Sequence, residues 1–166
     1  MNWLDNDWEN KRLEKVPSLS QAKIELKQQL IIGNWTINKL ILPTKEVINL
    51  LKESKSYMGL EGLKSKNNMI TIADIEVQNL IYQFNLNGSY NIFAGDKLIR
   101  AGKKWGLTKD GKYIYLDAPI GRKHLIEVLN LKQGKMTIKY QDKIALPRGD
   151  KGEFNSEYLE LDLKRD

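Results

Sequence analysis

Two dipeptides, Asn87-Gly88 and Asp110-Gly111, constrain this chain most, because each interrupts a run in which apolar and polar residues alternate. Leu80, Tyr82, Phe84 and Leu86 alternate with Ile81, Gln83 and Asn85 before the first, and Tyr90 and Ile92 resume after it. Trp105 and Leu107 lead into the second. Ile114 and Leu116 follow it, with Tyr113 and Tyr115 on the opposite face. A period of two puts alternate side chains on one face of a strand. Asn-Gly or Asp-Gly between two such runs predicts a type I′ hairpin turn, whose central residues both need positive φ. Strands joined this way are antiparallel neighbours.

The same rhythm extends over much of the chain. Met69, Ile70 and Ile72 open a strand. Leu125 to Leu131 reads as another, and Gln133-Gly134 turns it into Met136, Ile138 and Tyr140, with Thr137 and Lys139 facing the other way. Leu159, Leu161 and Leu163 alternate with Glu160, Asp162 and Lys164, the pattern of a half-buried strand. About eight strands with one apolar face each must roll up or stack, and a closed barrel also removes the edges. The expected fold is mostly β: an up-and-down antiparallel barrel with one or two short helices. A β-sandwich is the structural competitor. A chain of 166 residues fits one domain and buries about 70% of its unfolded surface without a disulfide or metal. It has no cysteine, which removes disulfides, thiolate metal sites and Cys nucleophiles together.

Residues 1–29 read as an N-terminal polar arm with a short helix, and residues 30–166 as the barrel domain. The arm holds two isolated tryptophans, Trp3 and Trp8, suited to docking on the barrel, covering its mouth or binding a partner. Ser18-Leu19-Ser20-Gln21 has the form of a capping box, and Leu19, Ala22, Ile24, Leu26 and Leu30 predict a helix near 19–30. The run from Leu30 to Ile37 is β-branched and aromatic and reads as a strand entered through Gly33. Thr44, after Pro43, is a natural N-cap for a short helix near 45–54, and residues 54–68 look like a loop. No run approaches the ~18 apolar residues of a membrane-spanning helix. Acids and amides, not an apolar stretch, follow Met1. If Met1 is the native start, a cytoplasmic location is expected. If a leader has been removed, the cell envelope or exterior is.

Three of these segments together resemble the lipocalin-like (calycin) domains of bacteria. Ile32-Gly33-Asn34-Trp35 resembles the Gly-x-Trp motif on the first lipocalin strand. Tyr82-x-Phe84-x-x-x-Gly88-x-Tyr90 looks like the F-x-x-D-G-x-Y hairpin, with Asn87 in place of the Asp. The segment from Gly102 through Trp105 and Leu107 to Asp110-Gly111-Lys112 resembles G-x-W-x-L-x-x-D-G-K, with one extra residue between Gly102 and Trp105. The resemblance covers roughly residues 30–166. It implies a structural motif in which Trp35, beside Gly33, packs at the closed barrel end under a basic residue from the last strand, Lys164 or Arg165. It also implies a small apolar ligand in the barrel. The long segment between the first strand and Met69 departs from the family pattern.

Little in the sequence suggests catalysis. The one histidine, His124, follows Arg122 and Lys123, a poor setting for a general base or a metal cluster. There is no Gly-x-Ser-x-Gly elbow and no Walker loop. Asp74 and Glu76 lie two apart on a presumed strand and share a face, which suits a solvated surface better than a glycosidase pair. No catalytic residue, metal ligand or cofactor is assigned. The candidate ligand residues are the inward aromatics Tyr82, Phe84, Tyr90 and Trp105, which either line a cavity or fill the core. The expected role is therefore a non-enzymatic binding protein for a small apolar ligand. The alternative is a protein-interaction module, such as an immunity-type inhibitor or a virus structural or accessory protein, with the barrel as scaffold.

The net charge of +6 is concentrated in residues 95–151, which carry 14 basic and 6 acidic residues. Lysines on outward positions and turns of an exposed sheet account for it, since they block edge pairing. A patch for phosphate or an anionic partner is the other reading. No specific nucleic-acid site is expected, because Lys outnumbers Arg and the obvious outward aromatics are Tyr113 and Tyr115 alone.

Overall fold

The computed structural model describes residues 18–42, 63–66, 69–72, 75–117, 123–148 and 153–166. The arm with Trp3 and Trp8, the expected helix near 45–54, and Asp74 lie outside the described residues.

The chain enters through helix α1, Gln21–Ile31. Its N-cap is Ser20, whose Oγ accepts from the Lys23 N–H at 3.3 Å, so the capping pair lies two residues beyond the one expected from Ser18 and Gln21. Leu30 and Ile31, expected in a strand, form the last helical turn. Strand β1 starts at Gly33 and runs Gly33–Leu42. Two short strands, β2 (Leu63–Lys66) and β3 (Met69–Ile72), form a small sheet with β4 (Ile75–Glu76). The segment 54–68 is therefore not all loop: its end is β2. A 3-10 turn at Val77–Asn79 then leads into β5 (Leu80–Phe84).

The remaining strands are β6 (Tyr90–Ala94), β7 (Lys97–Gly102), β8 (Trp105–Leu107), β9 (Tyr113–Asp117), β10 (Lys123–Lys132), β11 (Lys135–Lys139), the hairpin β12 (Ile144–Arg148) and β13 (Glu153–Glu157), and β14 (Glu160–Arg165). Nine strands make one antiparallel sheet in the order β7-β6-β5-β1-β14-β11-β10-β9-β8. This is an up-and-down barrel, nearly closed, interrupted by β2–β4 and by β12–β13. Both insertions leave from the same end, because β1 and β11 both run antiparallel to β14.

The sheet's two edges, β7 and β8, are consecutive in the chain. One strand, kinked at Gly102-Lys103-Lys104, pairs with β6 by its first half and with β9 by its second. The seam is stitched by the Trp105 N–H to the Gly88 carbonyl at 2.7 Å and the Asp117 N–H to the Lys104 carbonyl at 3.1 Å. The Tyr90 hydroxyl also donates to the Asp117 carbonyl across it. A side chain on Gly102 would meet the Tyr90 ring and the Asp117 carboxylate, so glycine is what lets the seam draw together.

Both expected hairpin glycines have positive φ, 94° at Gly88 and 70° at Gly111. Each sits one place later in its turn than a type I′ dipeptide would put it. Gly88 N–H donates to the Asn85 carbonyl and Gly111 N–H to the Thr108 carbonyl, so the central pairs are Leu86-Asn87 and Lys109-Asp110. The glycine then takes the left-handed position that follows a type I turn, the arrangement of three- and four-residue hairpin loops.

The inward face is continuous. Trp35, Tyr82, Tyr90, Ile92, Ile114, Leu116, Ile126 and Leu161 have no exposed surface. Helix α1 covers one end of the barrel: Ile31 is fully buried, and the Leu19 N–H donates to the Lys109 carbonyl at 2.8 Å. Ile70, Ile72 and Ile144 from the insertions join the same core at the other end.

Candidate ligand site at the far end of the barrel

The four aromatics expected to line the interior are all buried, but the fold gives them different surroundings. Phe84 and Trp105 pack together at the helix end, ring centres 5.2 Å apart and tilted by 58°. The Trp105 indole N–H donates to the Asn85 carbonyl at 3.0 Å, which fastens β8 to the β5–β6 hairpin. Tyr90 belongs to the seam. Only Tyr82 carries a polar group towards the far end, where its hydroxyl donates to Gln141 Oε1 at 2.8 Å. Its ring stays stacked with Phe84, 15° from parallel.

Around that hydroxyl the strands bring together residues far apart in sequence. Tyr140, Gln141 and Asp142 follow β11, and Tyr140 and Gln141 are buried. His124, on β10, stands opposite Leu116 of β9. Directly opposed residues of an antiparallel pair share a face, and Leu116 is fully buried, so His124 belongs to the inner face. Its Nδ1 lies 3.7 Å from Asp142 Oδ1, an ion-pair distance. Arg100, on β7, stands opposite the fully buried Ile92. The register between β6 and β7 shifts at this point, and the bulge places Arg100 on the inner face although Leu98, two residues earlier, is exposed.

Electrostatics agree with that placement. Burial pushes the Tyr82 phenol well above its ordinary 10.0; Tyr140 and Asp142 add to the rise and Arg100 opposes it. The neighbouring His124 holds the Asp142 carboxyl below its ordinary 3.8; burial works against this and Arg100 supports it. The cluster is graded in exposure. Tyr82, Tyr140 and Gln141 are buried, Arg100 and His124 are half-buried, and Asp142 is exposed. Polar groups on the inner face thus run from the core to solvent at this end.

The opposite end is sealed. The Trp35 indole N–H donates to the Ile31 carbonyl at 2.7 Å, and a side chain at Gly33 would come within 2.8 Å of Arg165 Cδ. Of the two basic residues at the end of β14, Arg165 lies over the Trp35 ring and Lys164 is exposed. Sequence reasoning missed Arg100, Gln141 and Asp142. The bulge breaks the alternation of β7, and the local signal before it is Gly95, at a φ of 65°. Tyr113 and Tyr115 are half-buried, and the Tyr115 ring lies against Gly106. Among the described residues no group of three or more His, Cys, Asp or Glu side chains is placed to hold a metal ion, and no helix is long and apolar enough to cross a membrane. No protein-family model and no curated protein sequence matches the chain.

Proposed function

We propose that this barrel is a non-enzymatic binding protein that takes a small apolar ligand at its far end. The observation that carries the reading is the graded cluster: Arg100 and His124 stand on inner-face positions, above buried aromatic and aliphatic side chains, and still reach solvent. Ligand sites combine an apolar lining with a few convergent polar groups in this way. The lipocalin resemblance of the motifs around Trp35, Gly88 and Trp105 points in the same direction. The alternative reading, a protein-interaction scaffold, rests on exposed Leu26 and Leu86, at 64% and 78% exposure. Single leucines of that kind are ordinary on any protein surface.

The test is a titration with N-phenyl-1-naphthylamine, an uncharged fluorophore that brightens in apolar surroundings. Saturable binding with one site per chain is the expected result. Emission that rises without saturation, as from a surface patch, overturns the reading.

A further inference from the structure

We propose that the helix end of the barrel docks on an anionic lipid surface, with Leu26 and Leu86 entering the lipid and a set of lysines meeting its headgroups. The inference concerns the end opposite the candidate ligand site and does not depend on it.

The fold gathers three turns and helix α1 at one end. Phe84 pairs with Gly33, where β1 leaves α1, so the β5–β6 turn with Leu86 lies beside the helix exit. Helix α1 is tied to the β8–β9 turn by the Leu19 N–H to the Lys109 carbonyl and by the Lys27 ammonium to the Gly111 carbonyl at 3.3 Å. Lys164 pairs with Thr36, near the start of β1, on one side and with Lys135, first in β11, on the other. The β10–β11 turn, with Lys132, is therefore at this end too. Lys23, Lys109, Lys112, Lys132, Lys135 and Lys164 are all exposed here. Among the described residues of α1, these turns and the end of β14, the acids are Glu25, Asp110 and Asp166. Asp110 is buried and accepts from the Thr108 hydroxyl and the Lys112 N–H. At the far end the signs are mixed: Asp96 adjoins Lys97, and Asp142 adjoins Lys143. Lysines on an edge strand block pairing, but these six stand on the helix, on turns or on strands paired at both sides. Protection of an edge does not account for them.

The company of these lysines decides the kind of anion. Leu86 stands at the β5–β6 turn with 78% of its surface exposed. Along α1, Ile24, Lys27, Gln28 and Ile31 form the more buried stripe, so Leu26, at 64% exposure, projects from the side turned away from the barrel. One exposed leucine signifies little; two that project at a basic end are a different matter. Headgroup phosphates and carboxylates attract lysines as point charges, while single aliphatic side chains enter the acyl boundary. No shape complementarity is needed for either. A single-stranded nucleic acid wants exposed aromatic rings for its bases, and Trp35 and Trp105 at this end are buried. A protein partner is disfavoured because lysine is depleted from protein–protein interfaces. Docked this way, the barrel holds its far end towards solvent.

Co-sedimentation of the full chain with vesicles of phosphatidylcholine, alone or with about 30% phosphatidylserine, tests this directly. Binding is expected on the anionic vesicles only, and it should weaken at least about tenfold when NaCl is raised from about 0.1 to about 0.4 M. Lys132→Gln combined with Lys135→Gln should weaken it at least about tenfold, and Leu86→Ser severalfold. Lys97→Gln combined with Lys143→Gln, at the far end, should leave it as in the parent chain. Thermal melting curves report whether each variant is folded. The chain has no cysteine, so Leu86→Cys and Asp96→Cys each accept a single environment-sensitive fluorophore. On anionic vesicles its emission should shift to the blue at position 86 and stay unchanged at position 96. Equal binding to the two kinds of vesicle, or binding to neither, overturns the proposal. So does a blue shift at position 96 without one at position 86. Poly-glutamate or a single-stranded oligonucleotide bound as tightly as the anionic vesicles, with no loss in Leu86→Ser, overturns lipid docking and assigns this end to a soluble acidic partner.

Discussion

The Arg165 guanidinium lies 6.0 Å from the centre of the Trp35 ring, and its Nη1 donates to the carbonyls of Leu30 and Ile32, each at 3.3 Å. The Ile31 carbonyl between them accepts from the Trp35 indole. Three successive carbonyls at the exit of helix α1 are thus met by side chains of β1 and β14. Carbonyls at a helix end lack partners within the helix, and a cation there also suits the helix dipole.

Trp35→Ala is expected to cost about 3–5 kcal/mol as a large-to-small change in the core. Trp35→Phe keeps most of the packing but leaves the Ile31 carbonyl unpaired in a buried place, at about 1–3 kcal/mol. Arg165→Ala should fall near 1–2 kcal/mol, because Arg165 is only half-buried. Urea unfolding curves measure all three. A midpoint for Trp35→Ala equal to that of the parent chain would contradict the assignment.

The two hairpin glycines should respond unequally. Both have positive φ, so an L side chain is strained at each by about 1 kcal/mol. A Cβ at Gly88 meets nothing within 4 Å. A Cβ at Gly111 comes within 2.6 Å of Leu19 Cδ1, where the helix approach packs on the β8–β9 turn. Gly111→Ala should therefore lower the melting temperature clearly more than Gly88→Ala, and Gly88→Val should still destabilise through the backbone alone. Equal shifts for the two alanine variants would mean that Leu19 does not pack there in solution.

The Tyr82 phenol should titrate well above its ordinary 10.0. With its native value raised above 10.0, its contribution to stability is complete below pH 10.0 and is lost as the pH rises towards the native value. Absorbance at the phenolate band should show a late component from Tyr82. In Tyr82→Phe that late component should disappear, with a cost of about 1–3 kcal/mol for the unpaired Gln141 oxygen.

Asp142 has the opposite sign. Its native carboxyl lies below the ordinary 3.8, so its stabilising contribution is present above that pH and is lost as the pH falls through the lower native value. The side chain is 55% exposed, and solvent screens the pair, so the effect is small. Asp142→Asn should flatten the acid side of the stability curve, and His124→Gln should do the same. Thermal melting between pH 6 and pH 3 follows both.

Strand alternation and turn glycines were legible from sequence because they are local. The positions Leu80 to Phe84, Ile114, Leu116 and Leu159 to Leu163 announce their own faces. The capping residue of α1 was misplaced because Ser18 and Ser20 offer the same chemistry, and only packing of Leu19 onto the β8–β9 turn selects between them. Strand β7 escaped notice for a different reason. Its bulge puts Ile99 and Arg100 out of step, so no period of two survives. The far-end cluster was invisible because Tyr82, Arg100, His124 and Gln141 come from four separate strands and turns, and their meeting is a property of the closed sheet.

The ladder between β1 and β14 also governs when the barrel can close during synthesis. Arg165 and the Leu30 carbonyl that it meets are 135 residues apart in sequence. At ordinary rates of translation, about 5–20 residues per second, helix α1 waits roughly seven to twenty-seven seconds for the strand that completes it. Once β5 has been made, β1 has β5 on one side and an open edge on the other until β14 follows. The nascent chain is then most exposed to pairing with a neighbour, and a chaperone that shields a single strand edge would be enough to protect it.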